Sequence, residues 1–238
     1  MTKPIISSKN LLPLLTSLMV VGCTWGFGTP GGDIPEMHRN LSKTVDIQTG
    51  VVQGDLEKAK AAASWLLERE AGGLWPAGGE QYRQALLNSA DRITEAQAVE
   101  EVALETGRLA ASCGGCHMAQ KGGPRFVVGS EAPGGESQEA QMIRHLWAAD
   151  RLWEGLVGPS EEAWAAGALA MAETQPALAR AFRDSPAFGR IGAFLEEVNL
   201  LAREAVDAED LDERADVYGR LLATCDRCHS IGWGPAQK

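Results

Sequence analysis

The sequence predicts an all-α protein of two tandem antiparallel four-helix bundles, and three observations predict it. Apolar residues recur at steps of three and four through nearly every segment, while β-branched residues are scattered singly. Helix start signals punctuate the chain, with short stretches left for loops. The chain also repeats itself: Met37-His-Arg39-Asn-Leu41 matches Met142-Ile-Arg144-His-Leu146 at an offset of 105. At that offset Gly50-Val51-Val52 meets Gly155-Leu156-Val157, and Asp55 meets Ser160.

The elements follow in order. Asp33-Ile-Pro-Glu36 resembles a capping box ahead of the first helix, with proline in its first turn. Asp55 and Ser160 are equivalent N-caps for the second helix of each copy. The third helix is short in copy one, around Gln81 to Asp91. In copy two it opens at Ser185-Pro186 and carries the stripe Ile191, Phe194, Val198, Leu201, Ala205. The fourth helices open at or near Thr94-Glu-Ala-Gln97 and Asp210-Leu-Asp-Glu213. Their buried faces step through Val99, Val102, Thr106, Leu109, Cys113 and through Leu211, Ala215, Tyr218, Leu222, Cys225. Such stripes, like the six tryptophans after Trp25, imply a packed core and nothing more.

Chemistry enters where the fourth helices end. Cys113-Gly-Gly-Cys116-His117 and Cys225-Asp-Arg-Cys228-His229 stand 112 residues apart, and Arg108 and Arg220 each precede their motif by five residues. The second copy therefore holds about seven more residues in its middle than the first. Cys-X-X-Cys-His is the attachment signature of c-type haem. Two thiols spaced in this way add across the two vinyl groups of one porphyrin, and the adjacent histidine reaches the iron. Cys113, Cys116, Cys225 and Cys228 are thus the expected thioether links of two covalently bound haem c groups, with His117 and His229 as proximal iron ligands. Three other readings compete. Zinc sites place such pairs on turns and knuckles, whereas here they close helical runs. Redox dithiols usually stand beside a βαβ pattern, and none is visible. Structural disulfides are the third.

Because each motif closes a fourth helix, each half resembles cytochrome c′ and its relatives of the c556 type, four-helix bundles with the haem motif near the end of helix four. The resemblance rests on the two motifs and on the helix-one segments at Met37 and Met142, and it covers roughly Asp33 to Gln120 and Glu139 to Trp233. It implies that helix one approaches the distal face of the haem. Met37 and Met142 are then candidate distal ligands, closing the iron for electron transfer, whereas an apolar residue there leaves it open to small gases. His38 and His145 are the alternative distal ligands; they stand two repeat positions apart, about 200° around a helix. Two features depart from the family: the tandem arrangement, and the lack of an aromatic-basic pair just past either motif.

The flanks and composition complete the expectation. Residues 1–22 read as an export signal, with Lys3 and Lys9 ahead of the apolar run LLPLLTSLMVVG, which is too short to span a bilayer. Val20-Val21-Gly22-Cys23 resembles a lipobox with Cys23 as the lipid-modified residue, the competing reading being an ordinary cleavable signal beside a stray thiol. The predicted organisation is a flexible tether at 23–33, a first haem bundle at 34–128, a linker (GSEAPGGESQ) at 129–138 and a second haem bundle at 139–238. Removing the signal takes the net charge from −10 to −12, with 20 basic against 32 acidic residues. That balance excludes nucleic-acid binding through phosphates and favours redox partners with a basic docking face. The expected protein is a lipid-anchored electron carrier on the periplasmic side of a bacterial membrane, or a soluble periplasmic one, and not an enzyme. The alternative is a gas-binding protein with at least one five-coordinate haem that takes up nitric oxide or carbon monoxide. Di-haem peroxidases resemble larger chains whose motifs precede their distal ligands, whereas here each motif ends its domain. Joined haem domains would also pass electrons between them where the haem edges approach, and many family members pair as homodimers.

Overall fold

The computed structural model describes residues 34–70, 75–126, 131–181, 183 and 188–231. The export signal, Cys23, the tether, the start signal at Ser185-Pro186 and Trp233 lie outside the described residues. Within them the chain is all-helical, without a strand. The helices are α1 (Ile34–Gln53), α2 (Leu56–Glu70), α3 (Glu80–Glu95), α4 (Val99–Gln120), α5 (Gln138–Val157), α6 (Glu161–Ala181), α7 (Phe188–Asp207) and α8 (Leu211–Ser230).

Local chemistry explains most boundaries. Asp55 accepts the Lys58 N–H at 2.9 Å to open α2, and its repeat partner Ser160 accepts the Ala163 N–H at 3.2 Å to open α6. Asp210 caps α8 by accepting the N–H groups of Asp212 and Glu213 at 3.0 and 2.9 Å. Glu213 in turn reaches back to the Glu209 N–H. The start of α4 differs from expectation. Thr94 belongs to the last turn of α3, where its hydroxyl donates to the Asp91 carbonyl. Ala98 is the N-cap of α4 and has no side-chain bond to offer; the Glu101 carboxylate instead accepts the Gln97 N–H at 2.7 Å. The extra residues of the second copy lengthen its helices, α6 having 21 residues against 15 in α2 and α7 having 20 against 16 in α3.

In the first half α1 packs on α2, α2 on α3, and α4 on both α3 and α1; α5 to α8 repeat that scheme. Ile47, Leu66, Ile93 and Leu109 are fully buried in one half, and Leu152, Leu156, Leu201 and Leu222 in the other. Each such side chain contributes about 1.5–3 kcal/mol. One continuous core runs through both halves, because α4 and α8 pack together along their lengths. Glycines permit that approach. A Cβ on Gly107 would stand 2.1 Å from the Ala215 carbonyl oxygen, and one on Gly219 would stand 2.8 Å from the Leu104 Cα. Seven residues after Gly107, Gly114 lies against the side chain of Leu211, which precedes Ala215. Advancing along α4 thus retreats along α8, and the two helices are antiparallel.

The start of α1 is tied to α2 by charge. Glu36 accepts two bonds from Arg69, at 2.5 and 2.8 Å, and is also paired with Arg39. These guanidiniums, Arg69 foremost, pull its carboxyl from the ordinary 4.5 down to about 2. A lowered folded-state value means that the stabilisation is complete above pH 4.5 and disappears as the pH falls toward 2. Glu36→Gln is therefore expected to be less stable than the parent at pH 6, with the gap closing in acid. Urea unfolding at stepped pH checks this, and a gap independent of pH would contradict the pairing.

Candidate functional site

Both pentapeptides lie wholly inside helices, at the ends of α4 and α8. Helical spacing puts Cys113, Cys116 and His117 on one face, and likewise Cys225, Cys228 and His229. None of the four cysteines forms a disulfide. Burial pushes the thiols of Cys116 and Cys228 up and drives that of Cys225 to about 12, so they are held protonated. An activated dithiol needs the opposite shift. Because α4 and α8 run antiparallel, the two motifs sit at opposite ends of the pair, with Cys116 and Cys228 roughly 30 Å apart along it at 1.5 Å per residue. That distance does not let the two pairs share one zinc ion. Among the described residues no group of three or more His, Cys, Asp or Glu is arranged to hold a metal.

The histidines are oriented from across the molecule. His117 Nδ1 lies 2.6 Å from the carbonyl oxygen of Val157, at the end of α5. His229 Nδ1 lies 3.1 Å from the carbonyl oxygen of Val52, at the end of α1. A carbonyl only accepts, so Nδ1 carries a proton, and in the neutral imidazole Nε2 then keeps the lone pair. The last four carbonyls of a helix lack partners within the helix, and these two find theirs in the imidazoles. Val52 and Val157 are repeat equivalents, as are His117 and His229, so each half positions the histidine of the other. Beyond α4, Lys121 adopts a left-handed turn (φ 51°) and Gly123 (φ 101°) brings backbone over His117. A Cβ on Gly123 would be 2.4 Å from the imidazole Cγ. An Nδ1–H fixed by a carbonyl, with Nε2 available, is the arrangement of an iron-ligating histidine. With two undisulfided thiols on the same helical face, the residues fit a covalently attached haem.

In the surroundings of the two motifs the halves differ. In the second, an apolar cavity is lined by Met142 and His145 of α5, Ile191 and Phe194 of α7, and Cys225, Cys228 and His229 of α8. Met142 packs against Leu178, Ile191 and Leu195. Burial foremost, and then the nearness of the His229 imidazole, lower the His145 imidazole to about 4 and keep it neutral. In the first half, Met37 is half-buried in α1, His38 is exposed, and Asn40, the repeat equivalent of His145, is buried. The structure thus brings Met142 and His145 to the second motif and turns His38 to solvent.

Sequence reasoning did not find the two valine carbonyls, although both lie inside the matched segments Gly50-Val51-Val52 and Gly155-Leu156-Val157. It also did not find Tyr218 as a junction of the halves. This buried ring packs at 5.8 Å against Trp153, tilted by 38°, and its hydroxyl accepts from Gln48 Nε2 of α1 at 2.6 Å. Among the described residues no helix is long and apolar enough to cross a membrane. No protein-family model, curated protein or solved structure matches the chain.

Proposed function

We propose that the chain is an exported electron carrier with two covalently attached haem c groups, one on Cys113 and Cys116 and one on Cys225 and Cys228. His117 and His229 are the proximal ligands. The observation that carries this reading is the matched pair of Nδ1 to carbonyl bonds, which present Nε2 of each motif histidine for an iron. When bound, haem supplies reversible one-electron chemistry. The chain's own residues attach it, orient its proximal histidine and exclude water from its faces. In this reading α1–α4 and α5–α8 are two four-helix bundles of the cytochrome c′ type, supported by the repeated packing scheme and the helical motifs at their ends. The signal at 1–22 and lipobox at Cys23 support a lipid anchor on the periplasmic side of a bacterial membrane. The net charge of −10 supports partners that dock through a basic face.

The test is haem stoichiometry. Intact mass of protein matured in a bacterial periplasm is expected to show two haems per chain that survive acid extraction. Protein without covalent haem, or with all four motif thiols open to alkylation, would overturn the proposal. Gas binding is the second reading. It is favoured in the first half, where Asn40 stands at the repeat position of His145 and His38 faces solvent.

A further inference from the structure

We infer that the two haem sites are built differently: His145 is the distal iron ligand of the second site, and the first site has no counterpart imidazole. The inference rests on the two-haem reading and adds a ligand assignment to it. His145 and His229 line the same cavity from opposite elements, α5 and α8, together with both cysteines of the second motif. Apart from Thr224, the rest of its wall is apolar, including Leu178, Ile191, Phe194 and Val198. Imidazole is a ligand that suits iron, and here two imidazoles and both thiols of one motif share a single cavity. Met142, one turn earlier on the same face, has a sufficient role as filler against Leu178, Ile191 and Leu195.

The first half lacks this arrangement. The repeat position of His145 is held by Asn40, an amide that is a poor ligand for iron. His38, two positions earlier, is exposed. One haem is therefore closed by two imidazoles, and the other is left to Met37 or to an open iron. Methionine-histidine ligation raises the reduction potential of a c-type haem. Exchanging the distal imidazole of the second site for a thioether is then expected to raise its potential.

The experiment uses the full holoprotein, with two haems per chain verified first; a count below two in the parent tells against the two-haem reading rather than this assignment. In the parent, the ferric electron paramagnetic resonance and near-infrared spectra are expected to show one bis-imidazole low-spin centre. His145→Ala should convert that centre to high spin and increase carbon monoxide uptake by one molecule per chain. His145→Met should keep the iron closed, take up no additional carbon monoxide and raise one of the two potentials. Met142→Leu, which alters only packing in the cavity wall, should still show one bis-imidazole low-spin centre and no additional carbon monoxide uptake. The assignment is overturned if the parent shows no bis-imidazole centre. It is also overturned if His145→Ala retains both haems with unchanged spin state, or if Met142→Leu opens the second iron. Should His145→Ala not accumulate, the parent spectrum and His145→Met still decide.

Discussion

Gly107→Ala is expected to cost about 3 kcal/mol and to lower the unfolding temperature by about 10 °C. The added methyl carbon would stand 2.1 Å from the Ala215 carbonyl oxygen, where contact between carbon and oxygen needs about 3.3 Å. The obstacle is backbone, so no rotamer change relieves it, and α4 and α8 must separate by about 1 Å. In a helix interior alanine is otherwise favoured over glycine by about 1 kcal/mol, so propensity alone predicts the opposite sign. The damage should also reach both motifs. The Val52 and Val157 carbonyls belong to the half opposite the histidine that each one holds, so a loosened crossing weakens both bonds together. Thermal unfolding followed by helical circular dichroism, with the haem spectrum recorded beside it, checks both effects. An unchanged or raised unfolding temperature would show that the helices do not cross at Gly107.

On the two-haem proposal, Cys225→Ala combined with Cys228→Ala should remove one haem and leave the other nearly untouched. The motifs lie at opposite ends of the antiparallel pair, roughly 30 Å apart. At that separation and an effective dielectric of about 20, a unit charge on one site acts on the other with about 0.5 kcal/mol. For a one-electron couple this is about 20 mV. The remaining potential should shift by no more than that, and the parent should titrate as two nearly independent one-electron steps. Redox potentiometry on both proteins is the check. Loss of both haems, or strong interaction between the two steps, would mean that the sites are adjacent. The placement also bears on the expectation that joined haems exchange electrons: the separation favours exchange of each site with its own partner.

The sequence carried what is local and missed what is distant. Asp55, Ser160 and Asp210 announced helix starts because a cap is a bond to an N–H two or three residues away. The stripes through Leu109 and Leu222 announced buried faces because helical pitch fixes which residues share a side. Thr94 misled, since its hydroxyl found the Asp91 carbonyl of the helix it ends instead of capping the next. Nothing periodic encodes which way α4 crosses α8. Gly107 and Gly219 did carry a signal, both lying in helix interiors at the motifs' own offset of 112, where glycine needs a packing reason. The histidine bonds were illegible because their acceptors are carbonyls, which every residue has. Met37 and Met142 look alike in sequence. His38 and His145 already differ by two repeat positions, but which of them faces inward depends on helix rotation in the folded core, which leaves His38 exposed and His145 lining the cavity.

The α4 and α8 contact places like against like: Gly107 meets Ala215, and Gly219 meets Ala103 and Leu104. A homodimer could make the same contact, but each substitution would then appear at both ends at once. Joining the partners in one chain removes that obligation, and the connection keeps them together at any dilution. The two ends are then free to diverge, as Asn40 and His145 have done. On the two-haem proposal, a symmetric frame in this way holds two centres of different affinity for electrons, without any change in the contact that binds them.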